Sequence, residues 1–447
     1  MKVRSALAAL TLVCLLGQAR LPADEVIDWN NVVLQAIRGS SMNAPRASRA
    51  LAMTHAAIYD AVNSIDDSHQ PYHVNLSASS DSSRGAAAAQ SAHDVLVNLF
   101  PTQQVTFDAA LANSLSSIPD GPSKMNGRAI GEQVATQIVT LRANDHSSDT
   151  TSYTPGTLPG QWRPTPSGFA PANLPNWPTV TPWSMTSGSQ FRHPAGAPAL
   201  SSVEYAAALN EVKDIGAVNS ASRTADQTDI ARFWADGGGT STGPGHWNRI
   251  AQTVAAAQGN TLSENARMFA LLNLAEADAT IVSWDNKYLG PTSSFWRPVT
   301  AIQLADQDGN AATDADPNWM PLLTTPAHPS YTSGHSTNSG AAAEIFKQFY
   351  GTDNISFTSS AEGAPGVSDR AFSSFSQAAL EAADSRLYGG IHYRFDNEHG
   401  LENGIAVGRF IFANELQPIP VPEPGTWVLL GLGFVVCRAG RRLRRVS

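Results

Sequence analysis

The sequence predicts an all-α protein, one helical bundle packed on another, from three observations. Apolar residues recur at three- and four-residue spacing along most of the chain. No segment shows the sustained period-two alternation that would demand a sheet. A stretch rich in Pro, Ser, Thr and Trp, residues 146–200, divides the helical pattern in two. At 447 residues the chain is long enough for one large or two ordinary domains and for a sizeable core.

The elements follow in order. The Ala-rich run from Ser48 to Val62 has helical spacing, as do Ala86 to Leu99, Gln103 to Leu115 and Lys124 to Arg142. The 146–200 stretch holds aromatics, as in Gly160-Gln161-Trp162-Arg163-Pro164, so it is expected to pack as a connector and not to run free. Its Trp162-Arg163-Pro164 and Pro166-Ser167-Gly168 are read as structural. Helical pattern resumes at Val203 and is broken by Gly237-Gly238-Gly239. Leu262 to Tyr288 reads as one long helix, with Thr261 and Glu264 forming a capping box at its start. Later helices are expected at about Ser339 to Tyr350, Ser373 to Tyr388 and Asn397 to Asn414.

Both ends read as addresses. Residues 1–23 have a basic start, an apolar stretch from Ala6 to Gly17 and small residues after it, the pattern of a signal peptide. Val421-Pro422-Glu423-Pro424-Gly425 precedes a short apolar run and five arginines, Arg438, Arg441, Arg442, Arg444 and Arg445. The apolar run is shorter than the ~20 residues of a relaxed membrane span. The division expected is therefore a signal peptide (1–23), an N-terminal helical region with its Pro-rich connector (24–200), a catalytic helical bundle (201–415) and a tail (421–447). These assignments make the protein exported, to the cell envelope or beyond it, with transient membrane contact or anchoring through the tail.

Composition excludes several chemistries. The formal net charge is −9, and eight cations sit in the two end segments, so the body is more acidic still. An acidic body argues against nucleic acid as partner. Both cysteines, Cys14 and Cys437, lie in the ends, which removes disulfides, thiol catalysis and Cys-based zinc sites from the body.

Three segments concentrate groups suited to a tetrahedral oxyanion. The first, Trp284-Asp285-Asn286-Lys287 with Phe295-Trp296-Arg297-Pro298, supplies an ammonium and a guanidinium. The second, His328 to Ser336, carries Ser333-Gly334-His335 at the start of a helix. There a hydroxyl and a glycine N–H seat an anion, and His335 exchanges protons. The third carries Arg386, His392 and Asp396. His392 is a candidate nucleophile or metal ligand, and Asp396, four residues on, is placed to hold its other ring nitrogen. Alone, each segment also reads as surface cations, a helix cap or a helix end.

The order and spacing of the three together resemble the signature of vanadium-dependent haloperoxidases and type-2 phosphatidic acid phosphatases. Met53-Thr54-His55-Ala56-Ala57-Ile58-Tyr59-Asp60 resembles the extra helices of the haloperoxidase branch, and the tail resembles the PEP-CTERM sorting signal. The resemblance implies two packed helical bundles and a vanadate cofactor. Lys287, Arg297 and Arg386 would neutralise its oxygens, Ser333 and Gly334 would donate to it, His392 would be its axial ligand and His335 the acid–base group. Trp284 and His328 would shape the halide side; a histidine at 328 resembles the bromoperoxidase pattern. The partners implied are hydrogen peroxide, a halide and a small organic acceptor. Two positions depart from the family. Nine residues separate Lys287 from Arg297 where six are usual, so the extra ones must bulge for the cations to converge; and Thr332 stands where a proline is usual.

The function expected is halide oxidation by peroxide, bromide favoured. A phosphatase using His392 as a phosphohistidine nucleophile is the alternative, and a non-catalytic exported envelope protein is the third.

Overall fold

A computed structural model describes residues 24–290 and 293–420. The expected signal peptide (1–23) and the expected tail (421–447) lie outside the described residues.

Thirteen α-helices form the described chain: α1 Glu25–Gly39, α2 Ala44–Asp66, α3 Arg84–Leu99, α4 Gln104–Ser116, α5 Pro122–Leu141, α6 Val203–Ile215, α7 Ala225–Phe233, α8 Thr242–Gln258, α9 Leu262–Tyr288, α10 Pro298–Gln303, α11 Gly334–Tyr350, α12 Phe375–Tyr388 and α13 Arg394–Asn414. Asp24, Asn43, Ser83, Ser202, Thr224, Thr261, Ser333 and Ser374 cap helix starts through their side chains. The capping box of Thr261 and Glu264 is formed. α11 begins five residues before the expected start, because Ser333 caps it; the alanine run that signalled the helix marks only its middle. A single two-stranded antiparallel ribbon, β1 Phe357–Ser359 with β2 Arg370–Phe372, was not expected and is too short to show a period in sequence.

α9 is the axis. Twenty-two of its residues, Asn265 to Lys287 less Arg267, are buried, and it packs against α2, α11 and α13. One apolar core runs through both halves of the chain, from Val26 and Trp29 of α1 to Val407 and Ile411 of α13. A second cluster, with Trp296, Tyr331, Leu387, Tyr393 and Phe395, lies behind the segments that carry the candidate site. The Pro-rich connector packs as expected: Trp162 is buried, its backbone N–H donates to Ser294 O, and Trp296 N donates to Gly160 O.

α11 and α13, which carry the candidate site residues at their starts, touch backbone to backbone. A Cβ on Gly404 would lie 2.0 Å from Thr337 O, and one on Gly340 would lie 2.5 Å from Leu401 O. Glycine is therefore required for this approach. Gly404→Ala should push the helices apart, lowering the denaturation midpoint and weakening anion binding together. A variant as stable as the parent would show that the crossing is not tight.

Candidate functional site

The three expected segments converge. The C-terminal end of α9 and the starts of α11 and α13 meet at a cavity of about 500 Å³, lined by Trp234, Trp247 and Trp284 and by Gly334, His335, Arg386 and His392. His328 also lines it, its ring 5.0 Å from that of Trp284.

Local backbone chemistry sets the histidine. Gly390, with φ of 74°, ends α12 in a left-handed turn pressed on Gly216; a Cβ there would lie 2.3 Å from Gly216 O. The chain then turns into α13, and Asp396 folds back over that helix start. Its Oδ2 accepts from Tyr393 N at 3.3 Å and lies 2.9 Å from His392 Nδ1. Ser330 Oγ donates to the same oxygen. The His392 proton therefore sits on Nδ1, and the Nε2 lone pair faces the Arg297 guanidinium, 3.0 Å away, as the atom that a ligand or electrophile would meet. Burial pushes Asp396 up from the usual carboxylate range, while the Ser330 bond and the nearby Lys287 and Arg297 pull it down. Burial, then Arg297, Lys287 and Arg386, hold the His392 ring well below its ordinary pKa.

The cations differ in what they already hold. Arg297 is fully buried; it donates to His328 O at 2.8 Å and Ile391 O at 2.6 Å, and its Nη1 lies 3.0 Å from His392 Nε2. Arg386 donates through Nη1 to Trp234 O at 2.6 Å, while its buried Nε has no partner. Lys287 is fully buried and donates to Pro329 O at 3.0 Å, Ser330 O at 2.9 Å and Thr332 O. Three acceptors match the three donors of an ammonium. Burial and Arg297 push this amine well below its ordinary pKa, and Asp396 pulls it back up. Lys287 and Arg297 converge despite the three extra residues between them: Ser294 N returns to Lys287 O at 2.7 Å, and both cations reach the 328–332 loop.

Ser333 caps α11, its Oγ accepting from Ser336 N and from Ser336 Oγ. Ser336 Oγ also lies 3.3 Å from Asn397 Oδ1. Gly334 and His335, the first two residues of α11, present a helix N-terminus to the cavity.

Sequence reasoning missed Ser330 and the acid facing His335. Asp236 lines the cavity, its Oδ2 4.0 Å from His335 Nε2, a buried atom without a hydrogen-bond partner. Asp236 also holds His246 Nδ1 at 3.1 Å, and His246 Nε2 lies 3.0 Å from Ser359 Oγ. Burial works against the Asp236 carboxylate, but His246, His335 and Arg249 outweigh it and hold its pKa below the ordinary value. The available signal was position: Asp236 directly precedes the glycine run, which marked only a break. Its φ of 43° makes that turn.

Burial first, then neighbouring cations, depress His328, His335 and His392. In protein without added oxyanion, their imidazole NMR shifts should stay those of neutral rings well below the unfolded value of about 6.5. A depressed histidine contributes stability that is complete above the unfolded value and is lost as pH falls below it, since the unfolded chain takes up the proton first. A His392 ring titrating near its unfolded value would contradict this.

Comparison with known proteins places these features. Residues 267–419 match the family model of the VCPO second helical-bundle domain, and residues 420–445 match the PEP-CTERM protein-sorting motif. The chain is 26% identical to the vanadium chloroperoxidase of Curvularia inaequalis over an alignment of 490 residues, covering 83% of this chain and 78% of that protein. A solved structure of a bacterial vanadium-dependent iodoperoxidase superposes with a TM-score of 0.76 at 28% identity, covering 89% of this chain and 98% of the other. A holo-type bacterial vanadium-dependent chloroperoxidase, 18% identical, shares the fold with a TM-score of 0.67, covering 88% of this chain and 95% of the other.

Proposed function

From membership of the vanadium-dependent haloperoxidase branch of its superfamily, to which this chain belongs, we propose that it is an exported vanadate-dependent haloperoxidase with bromide as its preferred halide. One observation carries the reading. A histidine whose Nδ1 is held by a buried carboxylate aims Nε2 at a buried arginine, in a cavity that also holds Arg386, His335 and a helix N-terminus.

The residues fit a tetrahedral oxyanion by their chemistry. Arg386 has a buried N–H without a partner, Ser333 brings a hydroxyl to the start of α11, and His392 Nε2 has a lone pair beside Arg297. Lys287, Arg297 and Arg386 would offset the anion's charge, and the Gly334 N–H would donate to it. Vanadate held there would supply the Lewis acidity that turns peroxide into an oxidant of halide. The net reaction takes halide, hydrogen peroxide and a proton to hypohalous acid and water, and the hypohalous species passes its halogen to a small organic acceptor. His335 is placed to deliver that proton, its Nε2 unpartnered and Asp236 close by to steady the charged ring. Asp396 and Ser330 hold the His392 ring in its tautomer. Trp284 and His328 form the halide side. His328 supports the bromide preference; the relatives are named for chloride and iodide.

The test is an assay pair on the purified body with chloride, bromide and iodide in turn. Vanadate, peroxide and bromide should brominate a phenolic dye. Hydrolysis of a phosphate ester that vanadate merely inhibits would make the protein a phosphatase. Absence of both activities and of vanadate binding would make it a non-catalytic envelope protein. A higher kcat/KM for iodide or chloride would overturn the halide preference alone. The sorting motif marks an exported protein of the cell envelope.

A further inference from the structure

The helices that build the site run from one end of the molecule to the other. At the site end stand Ala44 and Pro45 of α2, Trp284 of α9, and Gly334 and His335 of α11, all lining the anion cavity. A second cavity, of about 410 Å³, is lined by the opposite ends of the same helices: Asn63 and Asp66 of α2, Glu264 and Arg267 of α9, and Phe349 of α11. At 1.5 Å per residue the two cavities lie about 20–30 Å apart.

Both ends of the described chain leave beside the second cavity. Gln417 to Ile419 run along residues 68–70: Gln70 N donates to Gln417 O at 2.7 Å, Ile419 N donates to Ser68 O at 3.0 Å, and His69 bridges Pro418. Arg267 Nε also donates to Leu416 O at 3.0 Å. The sorting motif follows at residue 420. Asp24, the first described residue, accepts a hydrogen bond from Asn265 Nδ2 at 2.5 Å, at the same end of α9. Two separate attachments therefore place both exits at one end.

We propose that this end, the start of α9 with residues 66–70 and 416–419, is the face the protein turns to the lipid bilayer. While the tail is held in the membrane, the anion cavity opens away from it, and soluble peroxide, halide and acceptor reach the cavity from the aqueous side. The clamp of 417–419 on 68–70 fixes the orientation, because it leaves no slack chain between the folded body and the sorting motif. No described helix is long and apolar enough to cross a membrane, and the attachment assumed in this proposal is the tail that carries the sorting motif. The inference rests on the sorting motif and on chain geometry, and not on the peroxidase reading.

The test uses the full chain with Cys14→Ser and Cys437→Ser and one labelled cysteine. Gln70→Cys reports the exit end, and Gly238→Cys reports the cavity mouth; both positions are exposed. The labelled proteins are reconstituted into phosphatidylethanolamine–phosphatidylglycerol vesicles carrying a headgroup nitroxide quencher. Fluorescence at residue 70 should be quenched several-fold more than at residue 238, and that quenching should vanish in a chain ending at Pro420. Equal or greater quenching at residue 238, quenching that survives removal of the tail, or a folded full chain that stays off the vesicles each overturns the proposal. Position is the readout, so a failed halide assay would leave this result intact.

Discussion

His392→Ala is expected to abolish vanadate binding and halide oxidation together while the chain stays folded. The side chain makes three specific contacts, with Asp396, Arg297 and Ser330, and all three partners keep others. Asp396 retains Ser330 and the Tyr393 N–H; Arg297 retains His328 O and Ile391 O. Folding therefore loses little beyond a small cavity, whereas the site loses its only proposed covalent donor to the oxyanion. Equilibrium dialysis against vanadate, with circular dichroism as the folding control, reads the result. Asp396→Asn keeps the shape but removes the charge behind Nδ1, and should weaken affinity about 10- to 100-fold, as loss of a ligand's supporting partner does. Unchanged affinity in His392→Ala would refute the placement of the site. A phosphatase would give the same loss of vanadate affinity, so this variant tests the site, and the assay pair tests the reaction.

Much of that site was legible because the chemistry sits at helix ends, where sequence carries its clearest signals. Ser333 is at once a cap and a candidate site residue, and the glycines after Tyr388 end α12 just before His392. The pairing of Asp396 with His392 needed only that α13 start at Arg394, which puts Asp396 at its third position, within reach of the cap. What stayed hidden depends on contacts distant in sequence. Ser330 reaches Asp396 across 66 positions, and Asp236 meets His335 from the turn between α7 and α8. Neither has a motif of its own. The crossing of α11 over α13 likewise shows in sequence only as scattered glycines; their meaning appears once Gly404 is seen against Thr337 O.

Lys287 makes the sharpest separation between holding a site and binding its anion. Sequence groups it with Arg297 and Arg386 as one of three charges around an oxyanion. Its geometry is different: the ammonium spends its three donors on carbonyls of the loop that leads into Ser333, whereas Arg386 keeps a buried N–H free. Lys287→Met retains the length of the side chain and removes the ammonium from Pro329 O and Ser330 O, while Thr332 O keeps the Ser283 hydroxyl at 3.3 Å. Each unpaired group costs about 1–3 kcal/mol, so the loss of folding stability should be on the order of 2 kcal/mol or more. Arg386→Gln strands only Trp234 O and should cost less stability. For vanadate the order should reverse. Arg386→Gln removes the donor that has no protein partner and should weaken binding more than Lys287→Met does at a temperature where both are folded. Denaturant midpoints and vanadate titrations on the two variants decide it. If Lys287→Met is the more stable variant and binds vanadate less well, the ammonium belongs to the anion and the loop does not need it. If the expected order holds, the lysine acts through the 329–332 loop, fixing Ser333 and the start of α11, and two arginines with a helix N-terminus carry the anion.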